Sequence, residues 1–335
     1  WASLIITFLT GGAPKVFPAI IRSIRFTAHF FTGACVVALV DSPSKYRWLL
    51  NVFYINIVIQ AGLAIAQKLG WLGTFWPSYY VASYGELPVG TLSAHHKHIG
   101  IVMLLGIGIC LTFIKVKKDI FSKFIAIFSM GLMVAASIFA LSRTGWLGLA
   151  GMALGYLYIY RSKSIGTALL IVFGLLLSVL FLQWLGVDLL TLAKEDIDLV
   201  VIDRYERFGI EGITGDRMKV YDNFPDAIAA APWILITGTG FQNIITYIRA
   251  AGAHNNYIQV LFELGVFGFI VYMGMLRQIL RELQNAGKVL SNLLENAYAK
   301  STFAVFVGIL FTMLVGETFW GQTSMQTMTA QIMIM

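Results

Sequence analysis

An all-α, polytopic transmembrane helix bundle with one long polar loop is the architecture that this sequence predicts, on three observations. Hydrophobic residues make up 58% of the 335-residue chain and charged residues only 12%, against about 25% charged residues in an ordinary soluble domain. Apolar runs approach, again and again, the roughly 20 residues that cross a typical bilayer. Those runs lack the alternation of a membrane β-barrel, and a backbone in lipid must satisfy its own hydrogen bonds, so helices are expected.

In chain order the expected spans are 1–10 in part, 26–41, 47–67, 98–116, 121–141, 145–160, 167–187, 255–276 and 301–316, with an incomplete run near 322–335. These make about nine or ten helices at ordinary spanning length. Both ends fall inside apolar stretches, which predicts a chain that continues beyond Trp1 and Met335. The organisation expected is N-terminal transmembrane helices over 1–187, a polar loop over 188–253, and C-terminal transmembrane helices over 254–335 with a cytoplasmic helix near 277–300.

Lys and Arg orient the chain, because cytoplasmic connections carry their excess. Lys45, Arg47, Lys115, Lys117, Lys118, Lys123, Arg161, Lys163, Arg277, Arg281, Lys288 and Lys300 all fall on one side of the predicted spans. The opposite side receives the 68–97 connection, the turn Ser142-Arg143-Thr144-Gly145 and the 188–253 loop, which holds ten Asp/Glu and six Lys/Arg. Arg22 and Arg25 depart from the rule, and Ile20, Ile21, Ile24 and Phe26 around them suit an interfacial helix. The net charge of +7 is therefore a matter of sidedness and does not form a nucleic-acid patch. Cys35 and Cys110 both lie in apolar runs, which excludes a disulfide framework and reads as small core residues.

Chemistry is expected beside the long loop, because structureless connections of such length are uncommon in compact proteins. Phe208, Tyr221, Phe224, Trp233, Phe241 and Tyr247 give it apolar surface to pack. Thr214-Gly215-Asp216 suits a helix start, Pro225 a kink or restart, Pro232 a stop, and Gly238-Thr239-Gly240 a tight turn. Arg143 stands on the side that disfavours cations; it either snorkels to headgroups or offers its donor fork to phosphate oxygens. Arg204, Arg207 and Arg217 have Asp203, Glu206 and Asp216 close in sequence, so each reads either as a solvated ion pair or as a ligand contact.

His254 opens an apolar helix, where the positive end of the helix dipole disfavours imidazolium. A neutral imidazole there suits removal of a proton from a sugar hydroxyl; capping the helix is the plainer role. His95 and His98 could share a metal or meet an anion, but no partner Cys accompanies them and the nearby acid is Glu86. Glu263, about 13 Å along the helix from His254, is an intramembrane carboxylate that is either functional or hydrogen-bonded to another helix. Glu317 ends a late span on the same side. No glycine-rich phosphate loop, nucleophile elbow or zinc signature is present.

Ser-Arg-Thr-Gly at a span start, a long outer loop bearing Arg217, the Gly238-Thr239-Gly240 turn and then His254-Asn255-Asn256-Tyr257 resemble, in that order, the bacterial O-antigen ligase and O-antigen polymerase family. The likeness covers about residues 98–275. Its strongest part is His254 to Gly265, with ten residues between them. The resemblance implies a metal-independent glycosyltransferase of the inner membrane, without cofactors and with its site facing the periplasm. Its donor would be an undecaprenyl diphosphate-linked saccharide. Its acceptor would be lipid A core, for a ligase of lipopolysaccharide biosynthesis, or a second lipid-linked glycan, for a polysaccharide polymerase.

Carried over by position, the resemblance makes Arg143 and Arg217 diphosphate ligands and His254 the catalytic residue beside the acceptor hydroxyl. Arg204, Arg207, His95, His98, Asn255, Tyr221 and Glu263 become possible substrate contacts. Tyr221 stands where the family usually has Trp. The His-to-Gly spacing leans toward a ligase. A lipid-linked glycan flippase or transporter would instead predict paired ionisable residues at mid-membrane, where only His29 and Glu263 fall deep. A noncatalytic scaffold leaves Arg143 and His254 unexplained.

Overall fold

The computed structural model describes residues 34–36, 38–73, 97–140, 143–160, 217–240 and 255–315, with residues 24, 27, 31, 90 and 244. The side chains of 97, 143 and 217–222 are not among the described parts. The helices whose bounds lie among the described residues are, in order, α1 Pro43–Lys68, α2 Lys97–Val116, α3 Ile120–Phe139, α4 Arg143–Tyr160, α5 Arg217–Ala230, α6 Ile234–Thr237, α7 Asn256–Val289 and α8 Leu293–Thr312. No strand occurs among the described residues, so the chain is an all-α membrane protein. The expected spans 1–10, 167–187 and 322–335, and most of 26–41, lie outside the described residues, as do Arg22 and Arg25.

Among the described residues α1, α2, α3 and α7 are long and apolar enough to cross a membrane. The expected spans 47–67, 98–116 and 121–141 thus appear as α1, α2 and α3. The expected spans 145–160 and 301–316 appear as α4 and α8, whose described composition falls outside that set. Glu295 and Lys300 lie in the first two turns of α8, which lowers its hydropathy.

The chain divides into two compact units. The larger holds α1–α4, α7 from Leu280 onward, and α8. At its centre is α2, every residue of which is buried from His98 to Thr112. A helix that is apolar on all sides is stable only when neighbours enclose it, and α1, α3, α4 and α8 do so. The outer helices turn their remaining apolar faces outward, among them Ile55 and Ile59 of α1 and Leu154 and Leu157 of α4. Lipid is the solvent that suits those faces.

Small residues bring α4 and α8 together. A Cβ on Gly148 would meet Leu104 and Thr312, one on Gly155 would meet Val307 and the backbone of Ala304, and one on Gly308 would meet the Gly148 carbonyl. Such close backbone approach is how membrane helices gain van der Waals contact without a hydrophobic driving force. Tyr54 and Ser129 join α1 to α3 through a 2.7 Å hydroxyl–hydroxyl hydrogen bond.

The connections are capped by side chains. Ser42 accepts from the Lys45 amide and starts α1, with Pro43 in its first turn. Asp119 accepts from the Ser122 amide and starts α3. The expected cytoplasmic helix near 277–300 is a helical extension: α7 runs to Val289 and α8 begins at Leu293. Asn292 accepts from the Leu294 amide at the start of α8, and Asn296 donates to the carbonyls of Gly287 and Leu290. At this end Arg47, Lys117 and Asn292 line one cavity, and Lys115 and Lys300 both lie over the Tyr160 ring. Basic connections from α1, α2, α4 and α8 therefore meet at one end of the larger unit, as the charge pattern requires.

The close approach at Gly308 predicts an asymmetry between glycines. Gly308→Ala forces a methyl group against backbone and is expected to destabilise by about 1–3 kcal/mol. Gly62→Ala, where nothing lies within 4 Å of the added Cβ, is expected to be neutral or to stabilise by up to about 1 kcal/mol. Thermal unfolding of the two purified variants in one detergent checks the order; equal melting temperatures would refute the close approach.

Candidate active site

The smaller unit holds α5, α6, α7 as far as Ile279, and the turn at Met313. Its core is Phe224, Ala227, Ala231, Ile234, Ile244 and Phe262, with Ile228, Trp233 and Ile258 packed against it. The rings of Phe224 and Phe262 lie 4.7 Å apart, so α5 rests on the first turns of α7. The polar loop is thus partly a folded helical subdomain. Pro225 does not restart α5: the helix runs through it from Arg217 to Ala230. Pro225 stands at an exposed position, where water can serve the carbonyl that its ring leaves without a donor. Pro232 follows the helix end as expected.

The expected single span 255–276 is broken, and this is the main correction to the sequence reading. Gly265 has φ 70° and ψ −179°, a conformation essentially confined to glycine, and it divides α7 into arms Asn256–Leu264 and Val266–Val289. The Asn256 side chain donates to the Tyr272 hydroxyl at 2.8 Å across sixteen residues. A straight helix would hold those positions about 24 Å apart, so the arms fold back on each other. The first arm is about 13 Å long, too short to span a bilayer; the second, about 36 Å, is long enough by length. Residue count from His254 consequently does not measure the depth of Glu263.

The break is closed by the glycine turn of the loop. The Thr239 amide donates to the Phe262 carbonyl at 2.8 Å, and the Gly240 amide to the Glu263 carbonyl at 3.0 Å. Both carbonyls lose their helical donors at the break, and the turn supplies replacements. Gly238 and Gly240 also have positive φ. A Cβ on Gly238 would overlap the Glu263 backbone, and one on Gly265 the Ile236 carbonyl. The two glycine motifs that sequence inspection lists separately are two halves of one contact.

Asn255 caps the first arm. Its Oδ1 accepts from the amides of Tyr257 and Ile258, and its Nδ2 donates to the Leu314 carbonyl. The Asn256 amide donates to the Met313 carbonyl. Four hydrogen bonds therefore fix the start of the arm, two residues after His254 in sequence. Glu263 is fully buried and accepts from Gln259 Nε2 at 2.9 Å; the Oε1 of Gln259 is buried without a partner in the structure. Gln259, Asn256 and Tyr272 form a buried polar seam that sequence reasoning missed. A Gln four residues before Glu263 was the available signal, since i,i+4 pairs meet on a helix.

Among the other expected site residues, Arg143 begins α4 and His98 is the second residue of α2. The contact of Gly148 with Leu104 sets these two helix starts at the same end of the larger unit. His98 is buried and engaged with a neighbour. Arg217 begins α5 in the smaller unit, and Tyr221 follows one turn later on the same helix. His254, Arg204, Arg207, His95 and Glu317 lie outside the described residues, as do His29, Glu86 and the 188–216 part of the loop. Among the described residues no group of three His, Cys, Asp or Glu is placed to hold a metal. Cys35 and Cys110 are free thiols.

The hairpin makes Gly265 and Tyr272 sensitive positions. Gly265→Ala combines a forbidden backbone with a clash, and a loss of about 3 kcal/mol or more is expected. Tyr272→Phe leaves the Asn256 amide without its acceptor and is expected to cost about 1–3 kcal/mol. Denaturation of each variant measures both, and a wild-type stability for Gly265→Ala contradicts the hairpin.

Residues 128–273 match the O-antigen ligase family. The match starts inside α3 and ends inside the second arm of α7. It encloses Arg143, Arg204, Arg207, Arg217, Tyr221, His254, Asn255 and Glu263, and leaves out His95 and His98. No curated protein and no solved structure gives a significant match. The chain is a multi-pass membrane protein, and its residues 128–273, less than half of its length, which contain both the glycine turn and the helix break that it closes, are similar to the O-antigen ligase family.

Proposed function

We propose that this protein is a glycosyltransferase that moves a glycan from undecaprenyl diphosphate to an acceptor hydroxyl on the periplasmic side of the inner membrane, with lipid A core as the acceptor. The observation that carries the reading is the O-antigen ligase match, which encloses Arg143, Arg217 and His254 together. The acceptor oxygen attacks the anomeric carbon while the bond from that carbon to the diphosphate oxygen breaks. The acceptor proton passes to His254, and undecaprenyl diphosphate leaves with the electron pair. Arg143 and Arg217 stabilise the charge that grows on the diphosphate, a task for preorganised donors that calls for no metal. Arg204, Arg207, Tyr221, Asn255 and Glu263 are supporting positions within the same domain. In this reading residues 188–253 are the periplasmic loop, and 1–187 and 254–335 the transmembrane segments on either side.

General-base catalysis is worth about 10²–10⁴ in rate. His254→Ala is therefore expected to lower glycan transfer by at least about a hundredfold, and Arg143→Ala to abolish detectable product, with both variants still inserted in the membrane. Wild-type turnover by either variant removes the assigned role. EDTA is expected to leave the rate unchanged; strong inhibition would bring back the His95/His98 metal reading. Reconstitution with a lipid-linked glycan and two acceptors separates the classes. Transfer to lipid A core marks a ligase, and transfer to a second lipid-linked glycan marks the polymerase alternative.

A further inference from the structure

We propose that the cavity at the basic end of the larger unit binds the phosphate headgroup of an anionic phospholipid. The cavity has a volume of about 300 Å³ and is lined by residues that include Arg47, Lys117, Leu50, Phe113, Val116 and Leu293. That volume is at the lower end of small-ligand pockets, about 300–1,000 Å³. Two cations, Asn51 and Asn292 share the lining with apolar side chains, and no carboxylate lines the cavity. Phosphate with an acyl tail matches both halves of that chemistry.

The charges around the cavity sharpen the case. Asp41 is paired with Lys45 at 2.8 Å, Asp119 caps α3, and Glu295 accepts from Asn292. These neighbouring acids are occupied. The Lys117 ammonium lies 5.8 Å from the centre of the Phe113 ring, which itself forms part of the wall. The guanidinium of Arg47 has no hydrogen bond or ion pair among the described residues. Neither cation has an ion-pair partner among the described residues.

The surroundings place that cavity at headgroup level. Trp48, next to Arg47, is 66% exposed, and Ile120 and Phe121, just after the α2–α3 turn, are 86% and 72% exposed. Tryptophan beside basic residues is the pattern of a helix end anchored at the membrane interface. Basic pockets between transmembrane helices are a recognised way to hold acidic lipid headgroups.

The test uses the full chain in phosphatidylcholine nanodiscs with and without phosphatidylglycerol, followed by native mass spectrometry of retained lipid. Wild-type protein is expected to retain phosphatidylglycerol in preference to phosphatidylcholine. Arg47→Ala/Lys117→Ala is expected to lose that preference by about twenty-fivefold, at about fivefold for each basic residue near an anionic surface. Arg47→Lys/Lys117→Arg keeps both charges and is expected to retain the lipid, which separates binding from misfolding. Lys118→Ala/Lys123→Ala removes the same net charge outside the cavity lining and is expected to change nothing. Equal loss in that control, or full retention by the Arg47/Lys117 double-alanine variant, overturns the proposal. Inorganic phosphate and glycerol 1-phosphate, which have no tails, are expected not to displace the lipid; displacement by either would assign the site to a soluble anion instead.

Discussion

A backbone carbonyl freed inside an apolar chain must find a donor within the protein, because lipid offers none. The rest of this structure follows from that constraint. It makes every described element a helix, and it decides where a helix is allowed to stop. At Gly265 the helix stops inside an apolar run, and the amides of Thr239 and Gly240 take over the carbonyls of Phe262 and Glu263. Without the Gly238-Thr239-Gly240 turn the break would leave two buried acceptors empty. Without the break the turn would have nothing to bind. Each motif explains why the other is tolerated.

The same constraint shapes the polar groups around the hairpin. Asn255 uses both ends of its amide on backbone, and Asn256 bridges the two arms through Tyr272. Gln259 and Glu263 share a hydrogen bond in a place closed to water. A buried network of this kind rigidifies when its members are satisfied and is costly when they are not. In the proposed function the residue that takes the acceptor proton, His254, precedes this arm by two residues.

Much of the fold was legible because the driving pattern is coarse. Runs of apolar residues near spanning length identify α1, α2 and α3 without any contact being known, and the scatter of Lys and Arg anticipates the basic end where Arg47, Lys117 and Lys300 gather. The hairpin was not legible. Residues on both sides of Gly265 are apolar, and glycine is frequent in membrane helices, so hydropathy runs straight through the reversal. Pro225 suggested a restart for the opposite reason: it is a strong breaker by rule, but at an exposed position water can serve the carbonyl it frees. Candidate chemistry was legible as residue types, with Arg143 and Arg217 at helix starts. The seam of Gln259, Asn256 and Tyr272 was not, because Tyr272 reaches Asn256 only once the chain has folded back.

The central claim is that the chain joins a glycan to an acceptor and leaves the lipid carrier behind, and product stoichiometry in proteoliposomes tests it most directly. With donor and acceptor both on the side of the polar loop, the account predicts one undecaprenyl diphosphate released for each glycan joined, and no release when acceptor is withheld. Intact lipid-linked glycan appearing in the opposite leaflet, with no diphosphate released and no glycan joined, would contradict it and identify a carrier of lipid across the bilayer.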